Sequence, residues 1–342
     1  MLQSLKYGVK RGLQHIAARV GRHTRSLEIP QLLILMYHRI LPIDDPRSQS
    51  EEPGMMVTPE TFRMHLEVIK EHFNIVHLSH WLDYKQTDNH LQGNYCAITF
   101  DDGWADNYEY AYRTLKQFDI PATIFVVSEM VGTNRLFWPE RLAQLITTIA
   151  ETTPEYWSSP DLSWITDLPV SYGFNTQKPS QDQLSEIIAQ LKNLNDVDIH
   201  KKIDQVATTL HHATTTHTPD LLNWDQITDM VSSGIIEIGS HTCRHIRLNK
   251  QIAPDQLIYE IAMSKQQIEN HIGIPVKHFC FPNGDYTPEA LTQVQSLYKG
   301  AVTTLTGWNT MDTDCYQLRR IAIHEDITKD KTAFLARISG WV

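Results

Sequence analysis

The amino-acid sequence predicts an α/β fold whose core is a barrel of parallel strands. Three features of the chain support this: short, nearly all-apolar runs, amphipathic helical patterns between them, and polar residues directly after several of the runs. Near-continuous apolar runs are typical of parallel strands that are covered on both faces. Strands that alternate with helices predict a parallel sheet, and about seven or eight strands in one chain predict a barrel.

The strands are expected where apolar and β-branched residues cluster, at 31–37, 74–77, 95–100, 122–127, 235–239, 278–281, 300–304 and 320–323. Helices are expected between them at 58–72, 108–118 and 254–271. The first of these helices has Pro59 at its first position, where the missing N–H costs nothing.

The middle of the chain has a different composition. Residues 129–226 are rich in Thr, Ser, Pro, Asn and Gln and have helical patterns at 138–150 and 181–194. We therefore expect a mostly helical insertion, which either covers the active site, binds a partner or is a structural elaboration. The predicted organisation is a basic helix at 1–28, a barrel at 29–128 and 227–342, and the insertion at 129–226. Four histidines of the insertion match no metal signature and are expected at the surface: His200, His211, His212 and His217.

Composition excludes several classes of protein. The 342 residues are 41% hydrophobic, which is typical of a globular protein and not of a disordered one. The net charge of −10 argues against a nucleic-acid partner, which requires a basic surface. The four cysteines are widely spaced and form no C-x-x-C pair, which favours a reducing compartment over a disulfide framework.

The first 27 residues differ from the rest in charge. They hold six basic residues and no acidic one, so the remainder of the chain carries −16. Apolar residues recur there at steps of three or four and form one helical stripe: Leu2, Leu5, Val9, Leu13, Ile16 and Val20. The segment has neither the continuous apolar core of a secretory signal nor the run of about 20 apolar residues that a transmembrane helix needs. It is either a helix that contacts the inner face of an anionic membrane, a helix packed on the domain, or a frayed basic terminus; a cytoplasmic protein is expected in each case.

Two adjacent carboxylates follow the strand at 95–100. Asp101 and Asp102 are succeeded by Gly103, and neighbours in an extended chain point to opposite sides, so the two acids are suited to different roles. The alternative is that they cap the helix that follows.

Two histidines follow the strand at 235–239. His241 and His245 are four residues apart, and a helical turn would place them on one face. With one carboxylate they form a three-ligand set that leaves positions open, as in catalytic zinc sites; a structural zinc site would require four ligands. Cys243 should point away from such a metal.

Two further segments follow strands. His324 comes just after the last apolar strand, and the Pro282–Tyr286 segment contains a tight Pro-Asn-Gly turn that can present backbone N–H groups to an oxyanion. The carboxyl ends of parallel barrel strands open on one face, where active sites are built. Asp101, Asp102, His241 and His324 are therefore expected to converge.

On these segments the sequence resembles the polysaccharide deacetylase family, also called the NodB-homology family or carbohydrate esterase family 4. The Thr99–Gly103 and His241–His245 segments match the first two motifs of the family, and the segments at 282–286 and 323–324 resemble two others. The resemblance covers residues 31–128 and 226–325. It implies a distorted (β/α)7 barrel of the NodB-homology type, similar to a TIM barrel, with the helical insertion outside it.

The resemblance also implies a metal-binding, zinc-dependent hydrolase that acts on linear amides. It implies that a divalent metal, most often zinc, is held by Asp102, His241 and His245. Asp101 would be the general base and His324 the general acid, and the Tyr286 backbone N–H would bind the oxyanion. His38, in a Tyr-His segment common in the family, Pro282 and Trp308 are the expected substrate-binding residues.

Two departures from the family pattern stand out. The arginine that usually opens the third motif and orients the catalytic aspartate is missing from the 279–282 segment, which leaves Arg319 or Arg320 as its replacement. The fourth motif has Trp308 without its usual Asp.

The resulting expectation is removal of N-acetyl groups from an amino-sugar glycan, or from a lipid- or nucleotide-linked intermediate of glycan biosynthesis. Alternatives are a deformylase or O-deacetylase on a related sugar, and a non-catalytic glycan-binding protein on the same barrel.

Overall fold

The computed structural model describes residues 2–25, 29–51, 54–86, 92–169, 180–211 and 220–341. The chain divides into two compact units. The first contains residues 1–132 and 221–342, and the second contains residues 133–220.

The strands of the first unit, within the part of the chain that the structure describes, are β1 Gln31–Tyr37, β2 Arg39–Ile40, β3 Met56–Val57, β4 Asn74–Ile75, β5 Asn94–Phe100, β6 Ala122–Val126, β7 Ile236–Ser240, β8 His278–Cys280, β9 Gly300–Thr306, β10 Asn309–Thr310 and β11 Leu318–Ala322. Seven of them form a closed parallel ring in the order β1-β11-β9-β8-β7-β6-β5, because β1 also pairs with β5 along its whole length. The predicted barrel of about seven parallel strands is therefore confirmed.

The ring explains why its strands are apolar on both faces. Alternate side chains of one parity, such as Leu32, Ile34 and Phe125, fill the barrel interior. Residues of the other parity, such as Leu33 and Ile98, belong to a larger cluster shared with the surrounding helices. Both sets are fully buried, so each strand is stabilised by hydrophobic burial on both of its faces, as is typical of parallel strands.

In the described residues of the two units the α-helices are α1 Leu2–Val20, α2 Pro59–His72, α3 Leu78–Gln86, α4 Arg113–Phe118, α5 Trp138–Thr152, α6 Ser163–Thr166, α7 Gln181–Leu191, α8 Asp196–Thr209, α9 Trp224–Ser232, α10 Pro254–Ile258, α11 Ser264–Ile272, α12 Pro288–Leu297, α13 Glu325–Thr328 and α14 Lys331–Ile338. Two π-helical segments, Asn107–Tyr112 and Tyr259–Met263, lead into α4 and join α10 to α11. At the start of α2, Thr58 accepts a hydrogen bond from the Thr61 N–H, and Pro59 is the first helical residue. None of the helices in the described ranges is long and apolar enough to cross a membrane.

Several elements differ in extent from the sequence expectation. The predicted strand at 74–77 is only the two-residue β4, and it lies outside the ring beside β5. The β7 strand runs one residue further than predicted, to Ser240, because it pairs with β6 up to Val126 and with Phe279 of β8.

The second unit has its own apolar core, formed by side chains from α5, α6, α7, α8 and the turns between them. His200 is partly buried, with its Nδ1 3.0 Å from Arg141 Nη1, and His211 is exposed. His212 and His217 lie outside the described residues. Residues 129–132 and 221–226, which the predicted insertion included, belong to the first unit, where the Gly132 N–H donates to Leu222 O.

Candidate active site

The polar residues identified from the sequence lie at the carboxyl ends of the ring strands. His38 follows β1, Asp101 and Asp102 follow β5, His241 follows β7, and His324 comes two residues after β11. β1 lies between β5 and β11 in the ring, so these strand ends are neighbours on one face of the barrel. The active-site face of a parallel barrel is this one.

Asp102, His241 and His245 form a group that can hold a metal ion. Asp102 Oδ1 lies 3.4 Å from the Nε2 atom of each histidine. In tetrahedral zinc sites the bonds to N and O are about 2.0–2.2 Å, which places the ligand atoms about 3.4 Å apart. The observed spacing therefore fits a single zinc-sized ion, with three protein ligands and room for further ones.

Hydrogen bonds outside this group fix how two of the ligands are presented. His241 Nδ1 donates to Cys280 O at 2.8 Å, which orients the ring so that Nε2 faces Asp102 Oδ1. The Trp104 indole donates to Asp102 Oδ2 at 3.1 Å, which leaves Oδ1 to face the histidines. Burial alone would raise the pKa of Asp102, but the hydrogen bond from His241 and the charge of His245 lower it well below its usual range.

The backbone brings these ligands together through left-handed residues and not through a helical turn. Asp102, Thr242 and His245 have φ values of 72°, 66° and 60°. The expected helical turn at 241–245 is therefore wrong: the chain folds into an irregular turn after Ser240. The two imidazole rings still meet edge to face with centroids 4.8 Å apart. Cys243 points away, as expected, with its Sγ 3.6 Å from Tyr259 O.

Asp101 is held by Arg320 from β11. The guanidinium Nη1 and Nη2 donate to the two carboxylate oxygens of Asp101, each at 2.7 Å. Arg320 is 1% exposed and also donates to Thr303 O and Thr99 Oγ1. Burial alone would raise the pKa of Asp101, but the charge and hydrogen bonds of Arg320, together with the charges of His241 and His38, outweigh it and the net pKa is lowered. Arg320, and not the exposed Arg319, thus occupies the position expected of an arginine that orients Asp101.

The two acids have separate partners, as their adjacency predicts. Neither caps the helical segment that follows, which begins after Asp106. His38 also reaches this group, since its Nε2 lies 4.0 Å from Asp101 Oδ2 and its side chain is 20% exposed.

His324 lies at the edge of the same face, at the N-cap of α13. Burial lowers the pKa of its imidazole, which the nearby Asp326 carboxylate raises in part. Its ring faces Gly54, where an added Cβ would be 4.0 Å away.

The Pro282–Gly284 segment forms the expected tight turn, with Asn283 at φ 58°. Pro282 is buried, and the ring of the half-buried Tyr286 packs at a tilt of 32° against Phe281, with ring centroids 4.5 Å apart. The Tyr286 backbone forms an isolated bridge with Leu248, and its hydroxyl donates to Gln317 Oε1.

Trp308 is not brought to this face. It is 6% exposed, and its indole donates to Ile338 O. Its neighbour Asn309 pairs with Leu32 near the amino end of β1, the opposite end of the barrel. The chain turns back after β9 into β10 and carries Trp308 into the core, so we no longer assign it to the substrate.

A second group with metal-ligand side chains consists of Asp101, His241 and Cys280. It is poorly suited to a cation because Arg320 Nη2 lies 3.2 Å from Cys280 Sγ and also occupies Asp101. Burial also raises the pKa of the Cys280 thiol, which disfavours the thiolate that binds metal.

Sequence reasoning missed Trp104, and it left Arg320 as one of two candidates. The signal for Trp104 was its position two residues after Asp102, within hydrogen-bonding reach of that carboxylate. The signal for Arg320 was strand parity, since it shares a face with Leu318 inside the barrel.

Comparisons with known proteins identify the family of the chain. The family model for polysaccharide deacetylases matches residues 88–300, which is more than half of the chain. The protein YxkH of Bacillus subtilis (strain 168), which is named for the same family, is 23% identical over 295 residues, covering 86% of this chain and 71% of YxkH.

Two solved structures share the fold. The deacetylase PplD of Streptococcus pyogenes superimposes with a TM-score of 0.57 at 18% identity, covering 90% of this chain and 98% of PplD. IcaB of Ammonifex degensii gives a TM-score of 0.56 at 18% identity, covering 90% and 97%. Because the family model matches more than half of the chain, this chain belongs to the polysaccharide deacetylase family of hydrolases.

Proposed function

We propose that the protein is a metal-dependent deacetylase that hydrolyses the N-acetyl group of an amino sugar within a glycan or a lipid- or nucleotide-linked glycan intermediate. The observation that carries this proposal is that two groups of residues lie together on one face of the barrel. One is the Asp102, His241 and His245 group with zinc-like spacing. The other is Asp101, held ionised by Arg320.

The proposed ligands of the metal are Asp102 Oδ1 and the Nε2 atoms of His241 and His245. A divalent ion there, most reasonably zinc, supplies Lewis-acid polarisation of the acetamide carbonyl and acidifies water. Trp104 and Cys280 O keep two of the ligands in the required orientation, as outer partners of metal ligands commonly do.

Asp101 is proposed as the general base. Each of its oxygens accepts one hydrogen bond from Arg320, and a carboxylate oxygen has a second acceptor position with which to take a proton from the attacking water. Because Arg320 lowers the pKa of Asp101, the base stays ionised well below neutral pH. His38, 4.0 Å away, is proposed to bind the substrate beside it.

His324 is proposed as the general acid that protonates the leaving amine, since an amide leaves poorly as an anion. Its partial exposure allows contact with a bound sugar, and its lowered pKa makes it a ready proton donor once charged. The Tyr286 N–H is proposed to donate to the tetrahedral oxyanion, and Pro282 to shape that turn.

The acetyl group is the acyl group we propose, and the PplD structure, with a TM-score of 0.57, is one of a complex with acetate. We also propose that the sugar is linked to a lipid. It is consistent with the basic amphipathic segment at residues 2–20.

The test is acyl release by apo and zinc-loaded protein on N-acetylated, N-formylated and O-acetylated amino sugars, both free and lipid-linked. Asp101→Asn is the inactive comparison, and Arg319→Met, an exposed neighbour of Arg320, is the control that should behave as wild type.

We expect N-acetyl hydrolysis that depends on zinc and falls by ~10²–10⁴-fold in Asp101→Asn, as expected when a general base is lost. Preference for formyl or O-acetyl substrates would replace the proposed acyl group. Stoichiometric zinc binding without release from any of these substrates would favour a glycan-binding role, and failure to bind zinc would overturn the mechanism.

A further inference from the structure

The N-terminal helix packs on the barrel through its small residues. α1 runs parallel to α14: Arg11 pairs with Asp330 at the start of α14 at 3.0 Å, and the Arg22 N–H donates to Ser339 O at its end. Ala17 is buried at this contact, and a Cβ on Gly21 would lie 2.6 Å from the Ser339 Cβ. The close approach therefore uses the small residues of α1 and not its large apolar ones.

The apolar stripe of the same helix faces outward. Leu13, Ile16 and Val20, here called the outer stripe, are 62%, 53% and 43% exposed. Along the sequence, Leu2, Leu5 and Val9 continue the same spacing of three and four. An amphipathic helix normally buries such a stripe against its own domain, so this one is suited to an external apolar phase.

The charge around the outer stripe indicates which external phase. Residues 1–27 carry six basic and no acidic residues, in a chain whose remainder carries −16. Arg19, Arg22 and Arg25 are exposed. A second copy of the chain that docked through its own α1 would bring the same positive charge to the contact and be repelled. An anionic phospholipid surface offers both the opposite charge and the apolar interior.

An exposed tryptophan lies near the same end of α1. Trp341 is 56% exposed, and the preceding Gly340 packs against Arg22. Tryptophan is enriched at the boundary between lipid headgroups and acyl chains, where its apolar ring and polar N–H are both accommodated.

We propose that α1 binds a membrane surface rich in anionic phospholipid, with the outer stripe inserted between acyl chains and the flanking arginines at the headgroup phosphates.

The direction of α1 relates this surface to the site. Arg22 O and Arg25 O accept hydrogen bonds from Asn94 at the amino end of β5, opposite the site. Arg11 pairs with Asp330, which follows α13 and His324 at the site end. The Arg11 end of the helix is thus the one nearer the face that carries the metal-binding group, which would keep the site near the lipid surface.

The experiment is flotation of the full chain with vesicles of phosphatidylcholine alone, or of phosphatidylcholine and phosphatidylglycerol in equal parts. The test variant carries Ser at all three outer-stripe positions. Its matched control carries Ser at three equally exposed apolar positions elsewhere: Ile43, Ile274 and Leu305. Because all six side chains are exposed, circular dichroism and the urea midpoint should be unchanged in both variants.

We expect wild type and control to float with the anionic vesicles only. The partition coefficient of the outer-stripe variant onto the anionic vesicles should be lower by at least about tenfold. Arg19→Gln and Arg25→Gln should each weaken binding about fivefold at low salt, since a basic residue near an anionic surface contributes a factor of that size.

The proposal is overturned if wild type stays unbound to anionic vesicles, or if the test and control variants float equally. It is also overturned if the wild type does not float and sedimentation shows that the wild type and the control are dimers whereas the outer-stripe variant is a monomer. The result is independent of acyl release, so membrane binding and the proposed activity can each fail alone.

Discussion

Removing the charge of Arg320 should be among the most damaging single changes to the barrel. Arg320→Met keeps similar volume but leaves the carboxylate of Asp101, 3% exposed, without its bidentate partner. Breaking a buried ion pair from one side typically costs about 3–5 kcal/mol, because an uncompensated charge stays buried. Since domains of this kind are stable by only about 5–15 kcal/mol, we expect a large fall in the urea midpoint.

The magnitude can be separated from simple loss of packing by a double-mutant cycle. Asp101→Asn with Arg320→Met removes both charges, so the double variant should lose at least about 2 kcal/mol less than the sum of the two single losses. Arg320→Lys keeps the positive charge but cannot donate in a bidentate fork, so it should fall between wild type and Arg320→Met. Arg319→Met, one residue away and exposed, should change stability by less than about 0.5 kcal/mol.

Urea unfolding followed by tryptophan fluorescence measures these differences, provided that the slope with denaturant stays constant. In Arg320→Met, burial would no longer be outweighed and the pKa of Asp101 should rise, which would move the acid limb of the activity profile toward neutral pH. A loss below about 1 kcal/mol in Arg320→Met, or strict additivity in the double variant, would refute this account of the pair.

Three further predictions concern the metal, acid stability and the pH profile. Trp104→Phe removes the hydrogen bond to Asp102 Oδ2, so it should weaken zinc binding by ~10–100-fold in a chelator competition. The control is Trp308→Phe, which loses an indole hydrogen bond far from the site and should bind zinc as wild type does. His65, buried between Tyr37 and Thr328 O, has a pKa lowered by burial to about 4, below the unfolded 6.5, so the unfolded chain binds more protons between these values. Its contribution of about 3 kcal/mol is present above pH 6.5 and lost as the pH falls toward 4, and His65→Gln should flatten that decline in urea titrations; an unchanged slope would contradict it. Asp326→Asn should lower the pKa of His324, because Asp326 raises it, and so should move the pH at which activity falls on the alkaline side downward; a shift in the other direction would remove His324 as the acid.

The grouping of Asp102 with His241 could be anticipated from sequence for a physical reason. Asp102 and His241 each follow a buried parallel strand, and closure of a parallel barrel places the strand ends together wherever they lie in the chain. What the sequence could not show was how His245 reaches them. The positive φ values at Thr242 and His245 are unfavourable for non-glycine residues and depend on tertiary contacts, such as the Cys243 N–H donating to Glu260.

The orienting side chains were harder to predict because their partners are distant in the chain. Arg320 reaches Asp101 across 219 residues, and only the pairing of β1 with both β5 and β11 makes this contact possible. The alternation of inward and outward side chains along β11 would have selected Arg320 over Arg319. The sequence did not reveal it, because the predicted strand begins at residue 320 and omits the inward-facing Leu318. Trp308 shows the converse error: a position in the chain near an expected motif says little once a reversal such as β9 to β10 carries it away.

The site thus combines two ways of controlling adjacent carboxylates. The Trp104 indole binds one oxygen of Asp102 and leaves the other directed at the two imidazoles. Asp101 is instead fixed by the buried guanidinium of Arg320, which favours its ionised form. Exchanging their environments would impair both proposed roles, because a cation beside Asp102 would repel a metal and an unpaired Asp101 would protonate more readily. A chain that kept both aspartates but lost Arg320 would therefore retain metal binding and lose its base, which is a separation that zinc titration and acyl release can measure on one variant.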